Sequence, residues 1–218
     1  MVENIIVAID TVSLSEFEKI FSKVKKIFKW YKIHSIFLKE HKSVCKTLRN
    51  ESKKIFLDLK FFDIPTTVEK HIDAISGFCD MFTVHLLCGK VCLKRVAEVS
   101  RSVGITPVGV TVLTSFSDSD LSEIGINSNV VEQVLRLVEL GMNCGIDHFV
   151  CSPKEIEIVK KEFADAKLIT PGIRITGQRD DQKRTTGPKE AFEKGANFIV
   201  MGRDLIRLDD PEDIFLYL

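Results

Sequence analysis

Short apolar segments alternate with amphipathic helical patterns along the whole chain. Eight segments have the length and the β-branched or aromatic content of buried strands. They span residues 5–10, 30–33, 54–60, 81–85, 106–113, 148–152, 167–171 and 198–202. After the first segment, apolar residues recur at steps of three and four, which predicts a helix with one buried face. These residues are Leu14, Phe17, Phe21, Val24 and Phe28.

Helix start and stop signals lie between the apolar segments. A Ser, Thr or Asp followed by an acidic residue, or by proline at the first helical position, is typical of a helix N-terminus. The expected starts are Ser13-x-x-Glu16, Thr66-x-x-Glu69, Ser152-Pro153-x-Glu155 and Asp210-Pro211. Gly195 is placed to end a helix that begins near Pro188. The order of elements is therefore strand, helix, strand, helix throughout.

Alternating strands and helices predict an α/β protein with a parallel sheet and right-handed crossovers. Two architectures fit this order, an open doubly wound sheet and a closed (β/α)8 TIM barrel. The count of eight strands favours the barrel, and no G-x-G-x-x-G motif follows the first strand. With 218 residues and no linker in the sequence, we predict a single barrel domain over residues 1–218.

Composition narrows the class of protein. Hydrophobic residues make up 44% and charged residues 28% of the chain, as in globular proteins. Lys plus Arg and Asp plus Glu are 31 each, so no net field recruits nucleic acid or an anionic membrane. The longest uncharged stretch, 102–117, is too short to span a membrane. The N-terminus lacks a basic region and a cleavage site, so we expect a cytoplasmic protein.

The six cysteines are too sparse for a disulfide scaffold. Cys88 and Cys92 have C-x3-C spacing, but the sequence offers no second pair of ligands to complete a zinc site. We therefore expect reduced thiols, mostly in the core, and no metal site.

Charged and hydroxyl residues follow most of the predicted strands. In a barrel of this class the active site lies at the carboxyl ends of the strands. The residues at these ends are Asp10, Lys32, Asp58, Lys60, His85, Thr114, Ser152, Arg174 and Arg203. Asp58 and Lys60 are two apart, which puts both side chains on one face of the third strand, with Leu59 on the other. This pair is either a preorganised electrostatic array or a structural ion pair.

Two further segments carry candidate chemistry. Asp63 precedes Ile64-Pro65, so it is expected in the loop beyond the third strand. Residues 173–187 form a polar, glycine-bearing segment after the seventh strand, and Gly202-Arg203 closes the eighth. Loops in these two positions often bind phosphate through backbone N–H groups and a cationic side chain. A basic surface loop is the alternative interpretation of residues 173–187.

The string DLKFFDIPTTV, residues 58–68, resembles the D-x-K-x-x-D-I-P-x-T signature of the orotidine 5′-phosphate decarboxylase family. Further matches occur in the family's order along the whole chain. They are VAID at 7–10, YKI at 31–33, TVH at 83–85, TVLTS at 111–115, TPGIR at 170–174, DQKR at 181–184 and VMGR at 200–203. The chain departs from the family pattern at Phe62, where histidine is common, at Thr66, where asparagine is common, and in the segment after Lys32.

The resemblance implies a cofactor-independent decarboxylase that converts orotidine 5′-phosphate to uridine 5′-phosphate and CO2, without metal. It implies that Lys60 protonates C6 and stabilises the carbanion, within a charged array that also holds Asp58, Lys32 and Asp63. It further implies a homodimer in which Asp63 comes from the neighbouring subunit. The implied substrate-binding residues are Asp10, Lys32, Asp58, Lys60, Asp63, Ile64, Thr67, Thr114, Arg174, Gln182, Gly202 and Arg203.

The implied contacts divide by part of the substrate. Asp10, Lys32, Asp63 and Thr67 address the ribose hydroxyls, and Thr114 lies near the pyrimidine. The phosphate is held by Arg174, Gln182, Gly202 and Arg203. Two alternatives stay open: a magnesium-dependent sugar-phosphate decarboxylase or synthase of the same barrel group, and a non-catalytic barrel that binds a phosphorylated ligand.

Overall fold

The computed structural model of the protein describes residues 1–175 and 186–218. Eight parallel strands pair in chain order, and the eighth pairs with the first to close a barrel. The strands are β1 (Ile5–Ile9), β2 (Trp30–Ile33), β3 (Lys54–Phe61), β4 (Met81–His85), β5 (Thr106–Val110), β6 (His148–Val150), β7 (Lys167–Thr170) and β8 (Phe198–Met201). The predicted (β/α)8 TIM barrel is confirmed. The single-domain boundary 1–218 stays a prediction.

Helices cover the outside of the barrel in the intervals between strands. The α-helices of the described residues are α1 (Leu14–Val24), α2 (Ser35–Asn50), α3 (Pro65–Ile75), α4 (Gly89–Val103), α5 (Asp118–Glu123), α6 (Val130–Asn143), α7 (Ile156–Glu162), α8 (Pro188–Glu193) and α9 (Arg203–Arg207). Short 3-10 helices span Val2–Asn4, Leu86–Cys88 and Pro211–Tyr217. No helix in these described parts of the chain is long and apolar enough to cross a membrane.

Several helix termini were predicted correctly. Ser13 caps α1 by accepting a hydrogen bond from the Glu16 backbone N–H. Asp210 caps the last 3-10 helix in the same way, from the Glu212 N–H. Gly195 adopts a φ of 109° just after α8, a conformation that favours glycine.

Two helix starts were predicted wrongly. Thr66 lies inside α3, because Pro65 takes the first helical position and Ile64 the capping position. After β6, Ser152 begins a turn rather than α7, since its backbone N–H donates to the Glu155 carboxylate at 2.7 Å. Helix α3 thus begins one residue before the expected cap, and α7 begins at Ile156, four residues after it.

Several strands end earlier in the structure than the sequence pattern predicted. The fifth strand ends at Val110 rather than at residue 113. The predicted ends at 10, 152, 171 and 202 lie one or two residues beyond the observed strands. An apolar run in a barrel continues into the loop that lines the mouth, so hydrophobicity alone does not mark the last paired residue.

Two apolar layers hold the strands in place. Inside the barrel, residues from six of the eight strands form a small core that closes its floor: Ile6, Phe56, Met81, Val108, Ile169 and Val200. Between the strands and the helices lies a much larger core that includes Ile5, Val7, Phe17, Phe21 and Leu57. Large side chains fill the lower part of the barrel, so the upper part, at the carboxyl ends, is the part that can hold polar groups.

Strand β3 is irregular near its carboxyl end. Its pairing with β4 changes register between Leu57 and Phe61. Within this interval Lys60 has a φ of 49°, in the left-handed region that a residue with a side chain seldom adopts. The strand therefore carries a bulge where Lys60 leaves the sheet.

Candidate active site

A cavity that is open to solvent on one side lies at the carboxyl ends of the barrel strands. Its lining combines two ammonium groups and a carboxylate with apolar side chains: Lys32, Phe56, Asp58, Lys60, Val110, Val112, Leu113, Thr114, Val150, Ile169, Pro171 and Val200. The cavity thus offers a charged wall from β2 and β3 and an apolar wall from the other strands.

The charged wall centres on Asp58. Its Oδ2 lies 3.0 Å from Lys32 Nζ and its Oδ1 lies 2.7 Å from Lys60 Nζ. The side chain of Asp58 is 13% exposed, Lys32 is 18% exposed and Lys60 is 39% exposed. Leu59 points away and packs on the outer core, as strand alternation predicts.

The two ammonium groups determine the charge state of Asp58. Burial raises the pKa of this carboxyl, but the charges of Lys32 and Lys60, and their hydrogen bonds, outweigh burial and lower it from 3.8 to about 2. Asp58 is therefore ionised at neutral pH. Two cations and one anion leave the array with a net positive charge, which favours an anionic ligand.

Thr83 on β4 completes this array and was not predicted from the sequence. Its side chain accepts a hydrogen bond from Lys60 N–H at 2.8 Å, and its Oγ1 donates to Asp58 Oδ1 at 3.1 Å. Thr83 lies two residues before His85, so both side chains lie on one face of the strand. This spacing could have identified Thr83 as a candidate site residue.

The loop between β3 and α3 places Asp63 away from the cavity of its own chain. Asp63 is exposed, and its carboxylate accepts a hydrogen bond from the Ile64 backbone N–H at 2.7 Å. It does not appear among the residues that line the cavity. Two thiols hold the loop from α4 and the segment before it: Cys88 Sγ donates to the Phe61 carbonyl and Cys92 Sγ to the Asp63 carbonyl.

Most of the other implied substrate-binding residues lie around the mouth rather than in the cavity lining. Asp10 is exposed directly after β1. Thr67 is half-buried in the first turn of α3, and Ile64, which caps that helix, is exposed. Thr114 does line the cavity, beyond the end of β5.

Three of the four residues expected to hold phosphate lie beyond β7 and β8. Arg174 Nη1 lies 2.9 Å from Asp204 Oδ1, an ion pair that the sequence reasoning did not predict. Gly202 precedes α9, and Arg203 is the first residue of that helix and is exposed. Gln182 lies outside the described residues.

His85 has packing contacts rather than hydrogen bonds to the array. Its ring lies 5.6 Å from that of Phe62, and its Nδ1 faces the Leu87 backbone N–H at 3.3 Å. Burial and the charge of Lys60 lower the pKa of His85, so the neutral ring is favoured at pH 7.

The cysteines have the form expected of core thiols. All six are free, five are buried and Cys88 is half-buried. Burial raises the pKa of several of them, Cys92 and Cys151 to about 12. Within residues 1–175 and 186–218, no group of three or more His, Cys, Asp or Glu side chains is placed to hold a metal ion.

Comparison with known proteins gives the same assignment over almost the whole chain. Residues 3–214 match the family model described as "Orotidine 5'-phosphate decarboxylase / HUMPS family". A protein of Prochlorococcus marinus (strain AS9601) named orotidine 5′-phosphate decarboxylase is 38% identical, over 96% of this chain and 91% of that protein. One of the same name from Ehrlichia chaffeensis is 45% identical, over 74% of this chain and 73% of that protein.

A solved structure agrees. The crystal structure of orotidine 5′-phosphate decarboxylase from Lactobacillus acidophilus superposes with a TM-score of 0.85 at 30% identity, covering 98% of this chain and 96% of that one. The barrel, the charged array at its carboxyl end and these relatives together establish that the chain belongs to the orotidine 5′-phosphate decarboxylase family.

Proposed function

We propose that this protein decarboxylates orotidine 5′-phosphate to uridine 5′-phosphate and CO2, the last step of UMP biosynthesis. The observation that carries this proposal is the Lys32–Asp58–Lys60 array at the cavity of a barrel that belongs to this family. The net positive array suits an anionic substrate, and the apolar wall suits a planar base.

In the proposed reaction the bond between C6 and the carboxylate breaks, CO2 leaves, and the electron pair stays on C6. The Lys60 ammonium then delivers its proton to C6 and recovers one from solvent. Its positive charge stabilises the carbanion as it develops, which is where electrostatic preorganisation is most effective. The carboxylate of Asp58, 2.7 Å from Lys60 Nζ, would hold that ammonium in place and lie against the departing carboxylate.

The remaining substrate contacts are proposed from membership of the family. Asp10, Lys32, Asp63 and Thr67 would bind the ribose hydroxyls, Thr114 would lie near the base, and Arg174, Gln182, Gly202 and Arg203 would bind the phosphate. Ile64 is proposed as a further substrate contact. Binding of the phosphate, remote from C6, would supply free energy that orients the reacting centre.

The first experiment measures loss of orotidine 5′-phosphate absorbance, with uridine 5′-phosphate identified by chromatography. Lys60→Ala should lower kcat by about 10²–10⁴-fold from the lost proton transfer alone. Lys46→Ala, which removes an exposed lysine of α2, is the matched control and should keep wild-type kcat. No turnover by folded wild-type protein would refute the proposal.

The same assay with a chelator present distinguishes the proposed reaction from the magnesium-dependent alternative. A magnesium-dependent sugar-phosphate decarboxylase or synthase would lose activity on metal removal. The proposed reaction uses an ammonium as its electrophile, so its rate should be unchanged by the chelator.

We further propose that the active form is a homodimer in which Asp63 reaches the partner's cavity. Asp63 is exposed and does not line the cavity of its own chain. Two exposed apolar residues, Phe62 and Ile64, flank Asp63 in its loop. The thiols of Cys88 and Cys92 hold this loop against a segment that carries two more, Leu87 and Val91. This interface patch consists of Phe62, Ile64, Leu87 and Val91, which are 63%, 64%, 41% and 75% exposed. An exposed apolar patch of this kind is typical of a subunit interface.

Two measurements test the dimer. Val91→Asp should give monomers in analytical ultracentrifugation and lower activity, whereas Leu216→Asp, at an equally exposed residue outside the patch, should not. Mixing inactive Lys60→Ala and Asp63→Ala proteins should restore activity, because each mixed dimer regains one intact site. Absence of complementation under conditions of subunit exchange would place Asp63 in its own subunit's site.

A further inference from the structure

Thr83 occupies the point where the irregular strand β3 meets the charged array. Its side chain is 1% exposed. It accepts from Lys60 N–H at 2.8 Å and donates to Asp58 Oδ1 at 3.1 Å. One hydroxyl therefore bridges the backbone of one array residue and the side chain of the other.

This bridge lies within the register shift between β3 and β4. A bulge removes backbone groups from the sheet, and a buried N–H without an acceptor costs about 1–3 kcal/mol. The Lys60 N–H has left the regular ladder with a φ of 49°. The Thr83 hydroxyl supplies its acceptor, so this side chain takes the place of a missing backbone partner.

The same hydroxyl fixes the carboxylate. Asp58 Oδ1 already accepts from Lys60 Nζ at 2.7 Å, and the second donor restricts rotation of the carboxyl group about its own axis. A carboxylate held by two donors on one oxygen and by Lys32 on the other has a single orientation.

We propose that Thr83 is a positioning residue for decarboxylation: its hydroxyl holds the β3 bulge and the Asp58 carboxylate in the arrangement that aims the Lys60 ammonium into the cavity. Thr83 acts through Asp58 and Lys60 and makes no contact with the reacting atoms. The expected effect on kcat rests on the proposed function. The expected effect on the arrangement of Lys60 and Asp58 does not.

The test compares three variants. Thr83→Val keeps the shape and removes the hydroxyl, Thr83→Ser keeps the hydroxyl, and Thr170→Val is the matched control. Thr170 is also fully buried, at the end of β7, and its hydroxyl makes no hydrogen bond to Asp58 or Lys60.

Thr83→Val should lower kcat by about 10- to 100-fold, the loss expected for one hydrogen bond to a charged group. KM for orotidine 5′-phosphate and the Kd of uridine 5′-phosphate, measured by calorimetry, should stay within about threefold, because the phosphate and ribose contacts are untouched. Thr83→Ser should recover kcat to within about fivefold of wild type, and Thr170→Val should match wild type. If Thr83→Val does not fold, Thr83→Ala replaces it under the same criteria.

Three results would overturn the proposal: wild-type kcat in Thr83→Val, equal impairment of Thr83→Ser, or loss of product binding in proportion to kcat. Crystal structures of the variants give a readout that does not depend on activity. In Thr83→Val the separation of Lys60 Nζ and Asp58 Oδ1, 2.7 Å here, should exceed about 3.5 Å. If the wild type does not turn over, the proposed function fails, and this separation alone decides the role of Thr83.

Discussion

The charge state of Asp58 predicts a specific dependence of folding stability on pH. Burial raises the pKa of this carboxyl, but Lys32 and Lys60 lower it to about 2 from 3.8 in an unfolded chain. A carboxyl with a lower pKa in the folded state stabilises the fold above its unfolded pKa, and this contribution is lost as pH falls through the folded pKa. The window for Asp58 therefore lies between about pH 4 and pH 2.

The magnitude follows from the same values. A fall from 3.8 to about 2 corresponds to about 2 kcal/mol, at about 1.36 kcal/mol for each tenfold change in acidity. The side chain is 13% exposed, so solvent screening removes little of this. Integrating the titration, about 1 kcal/mol of the contribution is lost between pH 7 and pH 3.

The perturbation is Asp58→Asn, which cannot titrate. Urea unfolding at pH 7 and at pH 3 gives the stability difference between wild type and variant at each pH. Wild type should lose about 1 kcal/mol more than the variant on going to pH 3. Unpaired lysines left by the variant shift both measurements equally, so they cancel in this comparison. Asp209→Asn, at an exposed carboxylate with no ion pair among the described residues, should show no such change.

A stability difference that is the same at both pH values would refute the ion-pair reasoning. It would mean that Asp58 titrates alike in the folded and unfolded chains, and the array would then be too hydrated to perturb it. A difference of opposite sign would mean that burial outweighs the two ammonium groups.

The remaining predictions concern the phosphate end of the site. Arg203→Ala should raise KM for orotidine 5′-phosphate at least about tenfold, because a charge-assisted contact is lost, while Arg207→Ala at the exposed end of the same helix should not; steady-state kinetics decide. Asp204→Asn should raise KM by about three- to tenfold, because Arg174 loses the ion pair that orients its guanidinium. A lower KM in Asp204→Asn would instead show that Asp204 competes with the phosphate for Arg174.

The fold could be predicted from the hydrophobic pattern, because the same strand–helix pattern repeats along the chain. Each strand–helix unit must bury a strand on both faces and one stripe of a helix, and eight repetitions of that pattern indicate the barrel. Boundaries were less predictable where a single contact decides them. Proline at position 65 starts α3 one residue before Thr66, and the Ser152–Glu155 contact delays α7.

The site residues that lie at the carboxyl ends of strands could be predicted from the sequence. Strand alternation places Asp58 and Lys60 on one face, and the structure brings Lys32 from the neighbouring strand to the same carboxylate. The ion pair between Arg174 and Asp204 could not be predicted from the sequence, since it joins the segment after β7 to α9, 30 residues further along the chain. Such a contact depends on how the segments that follow β7 and β8 are placed in space, which the local sequence pattern does not specify.

Strand alternation predicted the direction of the Lys60 side chain correctly, but it did not predict the bulge in the backbone at this residue. Period-two alternation predicts inward side chains at 58 and 60, but it also predicts extended backbone, and Lys60 has a φ of 49° instead. Strained backbone persists only where surrounding contacts compensate for it, and such strain is concentrated at functional sites. Here the compensating contact is the Thr83 hydroxyl, 2.8 Å from the Lys60 N–H. The residue proposed to transfer the proton is thus held by a backbone that the sheet does not favour, and its position depends on a side chain of the next strand.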